Sequence, residues 1–558
     1  MKLVECVPNF SEGRDVEKIR AITREIESTA GVKLLDVDPG ESTNRTVVTF
    51  IGTPEAAAEA AFKAIRKAAE VIDMRSHKGA HSRIGATDVC PFVPISGVTM
   101  EDCVRIARDL GRRVADELGI PVYFYEEAAL RPERRNLAAI RAGEYEGLAD
   151  KMKEPDWAPD RGPAGFNARS GATVIGAREF LIAYNINLNT RDRKLANEIA
   201  LDIRESGRAR RDGEGTIVRD AGGNAVKIAG RFPFVKAVGW YIEDYGIAQI
   251  SINFTNFKVT PVHVVFDEVC RLAEDRGLRV TGSELVGLIP RDALLAAGRH
   301  YLERQGKSPG VPEEELIRTA VRSLGLSDVV PFDPKKKIIE YQFAEISGPL
   351  VRLSLREFAN ELSLDSPAPG GGSVAALCGA LSAGLSAMVA NLTVGKKGYE
   401  RVSRLMIETA VRAQELKEEC LRIVDEDTAA FNAVMDAFRL PKGTEAQKAE
   451  RDAAVEAATK EATRVPFRLL GISEELIKLA RTAARRGNKN SLSDAGVAAL
   501  AARTTAEGAA YNVRINLSGI KDEAFKEEMR RGSTELRRSV ARFAGGVDRL
   551  VEKELGKA

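Results

Sequence analysis

Histidine is scarce in this chain of 558 residues: there are four, His77, His81, His263 and His300. Tryptophan is scarcer, with two, and aromatic residues of all kinds make up 6 %. Few stacking side chains, together with 83 basic against 81 acidic residues and a net charge of +2, argue against a dominant nucleic-acid or membrane-surface role, although a local basic pocket for an acidic substrate fits within a neutral total. Six cysteines, Cys6, Cys90, Cys103, Cys270, Cys378 and Cys420, show no CxxC or zinc-ligand spacing. That argues against a metal ribbon or a disulfide framework and for scattered buried thiols in a reducing compartment. No uncharged apolar run is long enough to span a bilayer; the nearest, residues 373–394, is dense in Ala, Gly and Ser and reads as a tightly packed core helix. Residues 1–10 carry no signal-peptide core, since Glu5 interrupts them. The expectation is a cytoplasmic protein with no metal, no membrane and no nucleic-acid partner.

What is present is ordinary globular material, 44 % hydrophobic and 29 % charged, enough for three or four folded units. Two styles of sequence meet in the middle. Up to about residue 331, short β-branched runs alternate with amphipathic helical patterns; beyond about 354 almost everything is helical. The first part reads as strand 3–7, helix 16–26, strands 32–37 and 45–51, a helix after the Thr53-Pro54 cap, and a strand at 89–95. A helix (100–118) and a strand (122–125) follow. The order recurs: strand 180–188, helix 191–206, strands 235–242 and 248–254, helix 262–275, strand 278–281. This predicts an α+β N-terminal half of two ferredoxin-like βαββαβ subdomains, with an all-α helical bundle after it.

Boundaries follow the Pro and Gly clusters. Residues 154–171 form either a hinge or a binding loop, and residues 207–230, with Arg208, Arg210 and Arg211, an extended surface hairpin or loop. Two prolines and the run Lys335, Lys336 and Lys337 make residues 331–353 a solvated linker. The expected units are 1–178, 179–330, the linker, and 354–558, within which Pro466 must start or kink a helix.

His77 and His81 stand in one short stretch, Met74-Arg75-Ser76-His77-Lys78-Gly79-Ala80-His81-Ser82-Arg83-Ile84-Gly85. Their i,i+4 spacing fits zinc only on a helix with Glu beside the first His. Lys78 stands there, and Gly79 and Gly85 make the stretch a loop. Paired acid/base and orienting groups compete with the plainer reading of two solvated loop histidines. The opening Leu3-Val4-Glu5-Cys6-Val7-Pro8-Asn9-Phe10-Ser11-Glu12-Gly13 resembles the start of glutamate formiminotransferases. So do Leu35-Asp36-Val37-Asp38, Ser42-Thr43-Asn44-Arg45-Thr46 and residues 73–92. The resemblance implies that His81 is the catalytic acid/base, although Ala80 and Ser82 stand where vertebrate members tend to have Glu and Pro. Asp38 orients the imidazole, receives a proton, or simply forms the turn before Pro39. Gly162-Pro163-Ala164-Gly165-Phe166-Asn167-Ala168-Arg169-Ser170-Gly171 is similar in position to the family's folate-binding segment. In that segment Gly162, Pro163 and Gly171 permit close approach, Phe166 contacts the pterin face and Arg169 pairs with a carboxylate; the plainer reading is a connection between subdomains.

In the second half Pro369-Gly370-Gly371-Gly372-Ser373 opens a helix, leaving backbone N–H groups for an anion or a polar ring, or simply for tight packing. This turn resembles the opening motif of formiminotetrahydrofolate cyclodeaminases and related methenyltetrahydrofolate cyclohydrolases. Val424-Asp425-Glu426-Asp427-Thr428, Ser493-Asp494-Ala495-Gly496 and the run Tyr511-Asn512-Val513-Arg514-Ile515-Asn516 follow in the family's order. The resemblance implies Asp427 as proton donor, with Gly370, Gly371, Gly372, Ser373, Asp494, Asn512 and Asn516 holding folate. Asp425 and Asp427, two apart on a helix, diverge, so one faces the site and the other solvent. Together the two resemblances imply a fused homo-oligomeric enzyme. It moves a formimino group from N-formimino-L-glutamate to tetrahydrofolate, then releases ammonia in forming 5,10-methenyltetrahydrofolate. Tetrahydrofolate acts as a substrate and no cofactor is bound. The rival is a chain whose helical half serves only to dimerise.

Overall fold

A computed structural model of the chain describes residues 2–41, 44–79, 82–220, 222–243, 245–343 and 348–556. It divides into two units, Met1–Ala293 with Leu324–Ala344, and Leu294–Ser323 with Glu345–Ala558.

The first unit opens with β1 (Leu3–Cys6), β2 (Asn9–Phe10), α1 (Val16–Glu27), β3 (Val32–Gly40), β4 (Arg45–Gly52), α2 (Pro54–Val71) and β5 (Thr87–Ser96). It continues with α3 (Met100–Leu118), β6 (Val122–Glu126), α4 (Leu137–Arg141), α5 (Glu144–Lys151) and β7 (Thr173–Ala177). The helix starts are local in origin. Asp15 caps α1, Thr53 caps α2 with Pro54 in its first turn, and Thr99 and Asp102 form a reciprocal capping box on α3. These strands build one sheet in which β1 and β2 lie between β4 and β5, β3 flanks β4, and β7 and β6 run parallel to β5. One face of this sheet packs on α1, α2 and α3 through Val4, Cys6, Phe10, Phe50, Phe62, Phe92 and their neighbours. Tyr123, Tyr125, Val174, Ile140 and Leu148 form a second apolar cluster.

The second sheet comes from β8 (Ile182–Leu188), α6 (Arg193–Ile203), β9 (Arg208–Ala209), β10 (Lys227–Ile228), β11 (Val235–Ile242), β12 (Ile247–Phe254), α7 (Val262–Glu274) and β13 (Val280–Val286). Its order is β11-β12-β8-β13, with every neighbouring pair antiparallel. The expected short strand at 278–281 is longer and begins later. Of the two forms expected for residues 207–230, the hairpin is the one present, with β9 and β10 paired antiparallel.

Several boundaries differ from the sequence reading. After α8 (Arg291–Arg304) and α9 (Glu313–Ser323), the expected linker carries α10 (Pro334–Lys337) and α11 (Ile339–Phe343). Ile338 and Ile339 are fully buried, and Ile338 bridges Ile289. The lysine run therefore decorates a segment built into the first unit. Leu350, Val351 and Leu353 pack into the core of the helical unit. Residues 294–323 fall in the compact unit that holds the helices.

The helical unit then holds α12 (Leu355–Leu362), α13 (Gly371–Asn391), α14 (Ser403–Phe438), α15 (Glu445–Arg486), α16 (Leu492–Asn516) and α17 (Glu523–Leu555). α13 is long and apolar enough to cross a membrane, yet 61 % of its most apolar window is buried inside the unit. It packs by small residues: a side chain on Gly379 would press on Cys420. Pro466 neither starts a helix nor ends one; it lies inside α15. The cysteines are less scattered than their spacing suggests, since Cys6 Sγ and Cys90 Sγ meet at 3.6 Å in the core as free thiols.

Candidate functional site

In the first unit, three motif blocks that are distant in sequence are tied to one another by Asn44 and His77. Asn44 Oδ1 accepts from the Gly13 backbone at 2.9 Å, and its amide donates to the Lys78 carbonyl at 3.0 Å. Asn44 has a positive φ of 48°, a conformation Asn tolerates better than most residues. His77 is buried, with Nε2 2.8 Å from the Asn44 carbonyl. Arg83 donates from Nε to His77 Nδ1 at 3.2 Å, so Nε2 carries the proton and the ring is neutral. Burial holds His77 below its usual value, and the Arg83 charge adds to that effect. Arg83 in turn pairs with Glu144 at 2.8 Å and Glu146 at 2.6 Å in the first turn of α5. His77 is thus a fixed prop of the loop. His81, expected as the acid/base, lies outside the described residues, as do Ala80, Ser42 and Thr43.

The same loop is stitched to the glycine-rich segment. Met74 N–H donates to the Arg169 carbonyl at 2.9 Å, Ala86 N–H to Ser170 at 2.8 Å and Ala172 N–H to Ile84 at 3.0 Å. Gly85 and Gly171 form a bridge so close that a Cβ on Gly171 would collide with the Ile84 carbonyl. Gly171 also has a positive φ of 66°, so two constraints select glycine there. Gly162 and Pro163 are exposed. Phe166 is half-buried with its ring 5.4 Å from that of Tyr145. Arg169, expected to meet a carboxylate, instead donates to the Ala69 carbonyl at 3.3 Å and the Glu70 carbonyl at 2.6 Å, capping α2. Asp38 is exposed on β3 opposite Val47, inside a strand rather than a tight turn.

Residues that sequence reasoning did not single out surround this loop. Asp88, buried, accepts Arg45 at 2.9 Å and pairs with Arg141. Arg45 Nε also donates to Asn9 Oδ1 at 2.9 Å. Two guanidiniums converge on this one carboxylate, and both arginine side chains retain 12 % exposure. Asp88 lies in the resembling block, but its distant partner Arg141 carries no local signal. On the second sheet, Gln249 donates to Asn187 at 2.8 Å and to Glu284 at 3.2 Å, while Asn187 donates to Asp328 at 2.9 Å. This buried polar face was also missed, because a polar residue alternating with apolar ones reads as a solvated strand face.

In the helical unit, Gly370 caps α13 without any side-chain hydrogen bond of its own. The glycines let a carboxylate from α14 take that place. Asp427 accepts from the Ser373 backbone, and a Cβ on Gly372 would collide with the Asp427 carboxyl. Burial raises the Asp427 carboxyl above the ordinary aspartate range, outweighing the lowering by the Ser373 N–H. The Ser373 hydroxyl donates to the Val424 carbonyl at 2.7 Å, locking α13 against α14. Asn512 on α16 completes the cluster: a Cβ on Gly371 would stand 3.7 Å from Asn512 Nδ2. Asp425, expected on the solvent side, instead accepts the Leu350 N–H at 2.8 Å, with its second oxygen buried.

Two of the expected binding residues stand apart from this cluster. Asp494 lies in the first turn of α16, about 27 Å along the helix axis from Asn512. Asn516 donates to the Ala462 carbonyl at 2.8 Å, a structural tie. Among the described residues no three His, Cys, Asp or Glu side chains group as metal ligands.

Residues 3–178 match the family profile described as "Formiminotransferase domain, N-terminal subdomain", residues 183–344 "Formiminotransferase domain", and residues 354–535 "Formiminotransferase-cyclodeaminase". The chain is 45 % identical over 532 residues to formimidoyltransferase-cyclodeaminase of Rattus norvegicus, covering 95 % of each. It is 45 % identical over 323 residues to glutamate formimidoyltransferase of Thermoplasma acidophilum, covering 57 % of this chain and 99 % of that one. It is 41 % identical over 175 residues to methenyltetrahydrofolate cyclohydrolase of Methylorubrum extorquens, covering 31 % and 84 %.

Proposed function

Because the chain belongs to the formiminotransferase-cyclodeaminase family, we propose that it performs two consecutive folate reactions, one in each half. In the first, N5 of tetrahydrofolate attacks the formimino carbon of N-formimino-L-glutamate. A tetrahedral centre forms, the bond from that carbon to the glutamate nitrogen breaks, and glutamate leaves as a protonated amine. A neutral amine leaves well only when it gains a proton, so a group that titrates near neutrality is needed there. His81 is that group in this reading, supported by the resemblance of its sequence block. Asn44, His77 and Arg83 are positioning residues that hold the preceding loop. The Arg45–Asp88–Arg141 arrangement suits a substrate carboxylate, since it gathers two partly exposed guanidiniums whose N–H groups are donors for such an oxyanion. The polar face of Asn187, Gln249 and Glu284 offers the donors and acceptors a pterin ring edge requires.

In the second reaction N10 of 5-formiminotetrahydrofolate attacks the formimino carbon and the C–N bond to the departing nitrogen breaks. Ammonia is released and 5,10-methenyltetrahydrofolate remains. Asp427, half-buried and so protonated to higher pH than a solvated aspartate, donates the proton. Neither step moves electrons, so tetrahydrofolate serves as acceptor substrate and no redox group enters.

The observation that carries the two-activity reading is the seating of Asp427 on the glycine turn of α13 beside Asn512. A purely dimerising bundle gives no reason for a raised carboxyl in that place. The reading includes a cytoplasmic homo-oligomer. The association is supported by the exposed apolar side chains Leu381 on α13, Leu392 just after it, and Val497, Leu500, Tyr511 and Ile515 on α16, and light scattering would test it.

The test of function mixes the protein with N-formiminoglutamate and tetrahydrofolate and follows methenyltetrahydrofolate absorbance and ammonia. Wild type makes both products, His81→Ala makes neither, and Asp427→Asn stops at the formimino intermediate. Consumption of formiminoglutamate without ammonia would reduce the helical half to a structural module.

A further inference from the structure

α4 is a helix of five residues, too short to hold its shape by its own hydrogen bonds. Its last residue is Arg141, the partner of Asp88. Carbonyls at a helix end have no N–H of the same helix to meet them. Lys151, the last residue of α5, meets them here. Its ammonium donates to the carbonyls of Ala139 at 2.7 Å, Ile140 at 2.9 Å and Ala142 at 3.0 Å. All three of its N–H donors are thereby used, and its charge faces the negative end of the helix. The Trp157 ring lies against it, with its centroid 3.9 Å from Nζ. Ile140 and Ala142 flank Arg141 in sequence, so one side chain fixes the Arg141 backbone from both sides.

The turn from α4 into α5 passes through two residues with positive φ, Gly143 at 89° and Glu144 at 55°. A residue other than glycine stays in that region when its surroundings impose it. Arg83 pairs with the Glu144 carboxylate at 2.8 Å on one side of the turn, and Lys151 holds the Ala142 carbonyl on the other. The rest of α5 reaches the other parts of the same site. Glu146 takes Arg83, whose Nε donates to His77, and the Tyr145 hydroxyl donates to the Ala168 carbonyl in the glycine-rich segment. One short helix thus joins the histidine loop, the glycine-rich segment and Arg141, and Lys151 is its tie to Arg141.

We propose that Lys151 is a positioning residue of the formimino transfer: its ammonium fixes the last turn of α4 so that the Arg141 guanidinium stands at Asp88, in place for the substrate carboxylate. This rests on the assignment of Arg141 to that carboxylate.

The test uses the full-length protein and steady-state rates of formiminoglutamate consumption. Lys151→Met keeps an apolar stem and removes all three donors. KM for N-formiminoglutamate should rise about fivefold, the scale of one lost hydrogen bond, with kcat within about a factor of two of wild type. Lys151→Gln keeps a neutral N–H donor on a shorter stem. Its KM should fall between those of wild type and Lys151→Met, and it takes the place of the methionine variant if that one does not fold. The deciding measurement is the double variant. In the Arg141→Met background either Lys151 substitution should raise KM no further, because its effect passes through Arg141. Ammonia release from added 5-formiminotetrahydrofolate should stay at the wild-type rate in every variant.

Three results would overturn the proposal. Both Lys151 variants keep the wild-type KM while Arg141→Met raises it, the KM effects of the two substitutions multiply in the double variant, or ammonia release falls in step with formimino transfer. If Arg141→Met itself leaves KM unchanged, the assignment of Arg141 to the substrate carboxylate falls first, and this proposal with it.

Discussion

Asn516 donates its side-chain N–H to the carbonyl of Ala462 at 2.8 Å, and Ala462 is the residue four before Pro466. A proline inside a helix has no N–H to give back to that carbonyl, so α15 would carry an orphaned acceptor at this point. Asn516, from the end of α16, fills the vacancy. Asn516→Ala should therefore lower stability by about 1–3 kcal/mol, measured by urea unfolding near neutral pH. The rate of ammonia release per folded molecule should not change. A drop in that rate at unchanged stability would return Asn516 to the folate-binding cleft that the sequence resemblance suggested.

Gly372→Ala puts a methyl group into the Asp427 carboxyl. The expected result is a selective defect. Formimino transfer proceeds at the wild-type rate, while ammonia release falls at least 100-fold because the carboxyl must turn away from its place. Separate assays of formiminoglutamate consumption and ammonia distinguish this from global unfolding, which would depress both.

Burial raises Asp427, and a donor works only while protonated. Ammonia release should therefore fall as pH rises through that elevated value. In a pH–rate profile the wild type shows this descending limb and Asp427→Asn lacks it, with its residual rate flat over the same range. Persistence of the limb in the variant would assign the proton to another group.

Arg141→Met removes one of the two guanidiniums that converge on Asp88. KM for N-formiminoglutamate should rise about tenfold or more, as for a lost charge-assisted bond, with kcat little changed. Arg141→Lys should restore part of the loss. Equal falls in kcat and kcat/KM would instead place Arg141 at the reacting centre.

Glu5 is buried in the first sheet, and burial lifts its carboxyl to about 7, with Arg178 pulling it down and Glu340 adding to the rise. The folded protein keeps this proton at pH values where the unfolded chain has released it. The stability tied to the protonated group is full below about pH 4.5 and is lost progressively up to about pH 7. The loss from this one group is roughly 3 kcal/mol. Glu5→Gln should flatten the fall, which urea midpoints measured from pH 4.5 to 8 would show.

Local signals carried the secondary structure well. The Thr53-Pro54 start of α2 and the alternating runs that become β4, β11 and β12 depend on near neighbours, and near neighbours are what a sequence displays. The linker was misread for the opposite reason. Lys335, Lys336 and Lys337 suggest solvent, but Ile338 and Ile339, just after them, are buried, and Ile338 pairs in an isolated bridge with the distant Ile289. Cys6 and Cys90 looked isolated because the β1–β5 pairing that joins them spans 84 positions.

For the sites, residue types and motif order were determined by the sequence alone: the glycine turn before α13, the Asp427 block, and the histidine loop with its flanking glycines. The tertiary structure decided which of them act together. Asp427 and the glycine turn meet because α14 crosses the start of α13, whereas Asp494 and Asn512 are held apart by the rigid length of one helix. Arg169 was drawn off to cap α2, and Asn516 to replace the bond that Pro466 lacks. Burial alone raised Asp427, and burial is a property of neighbours contributed by the whole fold, which no stretch of sequence contains.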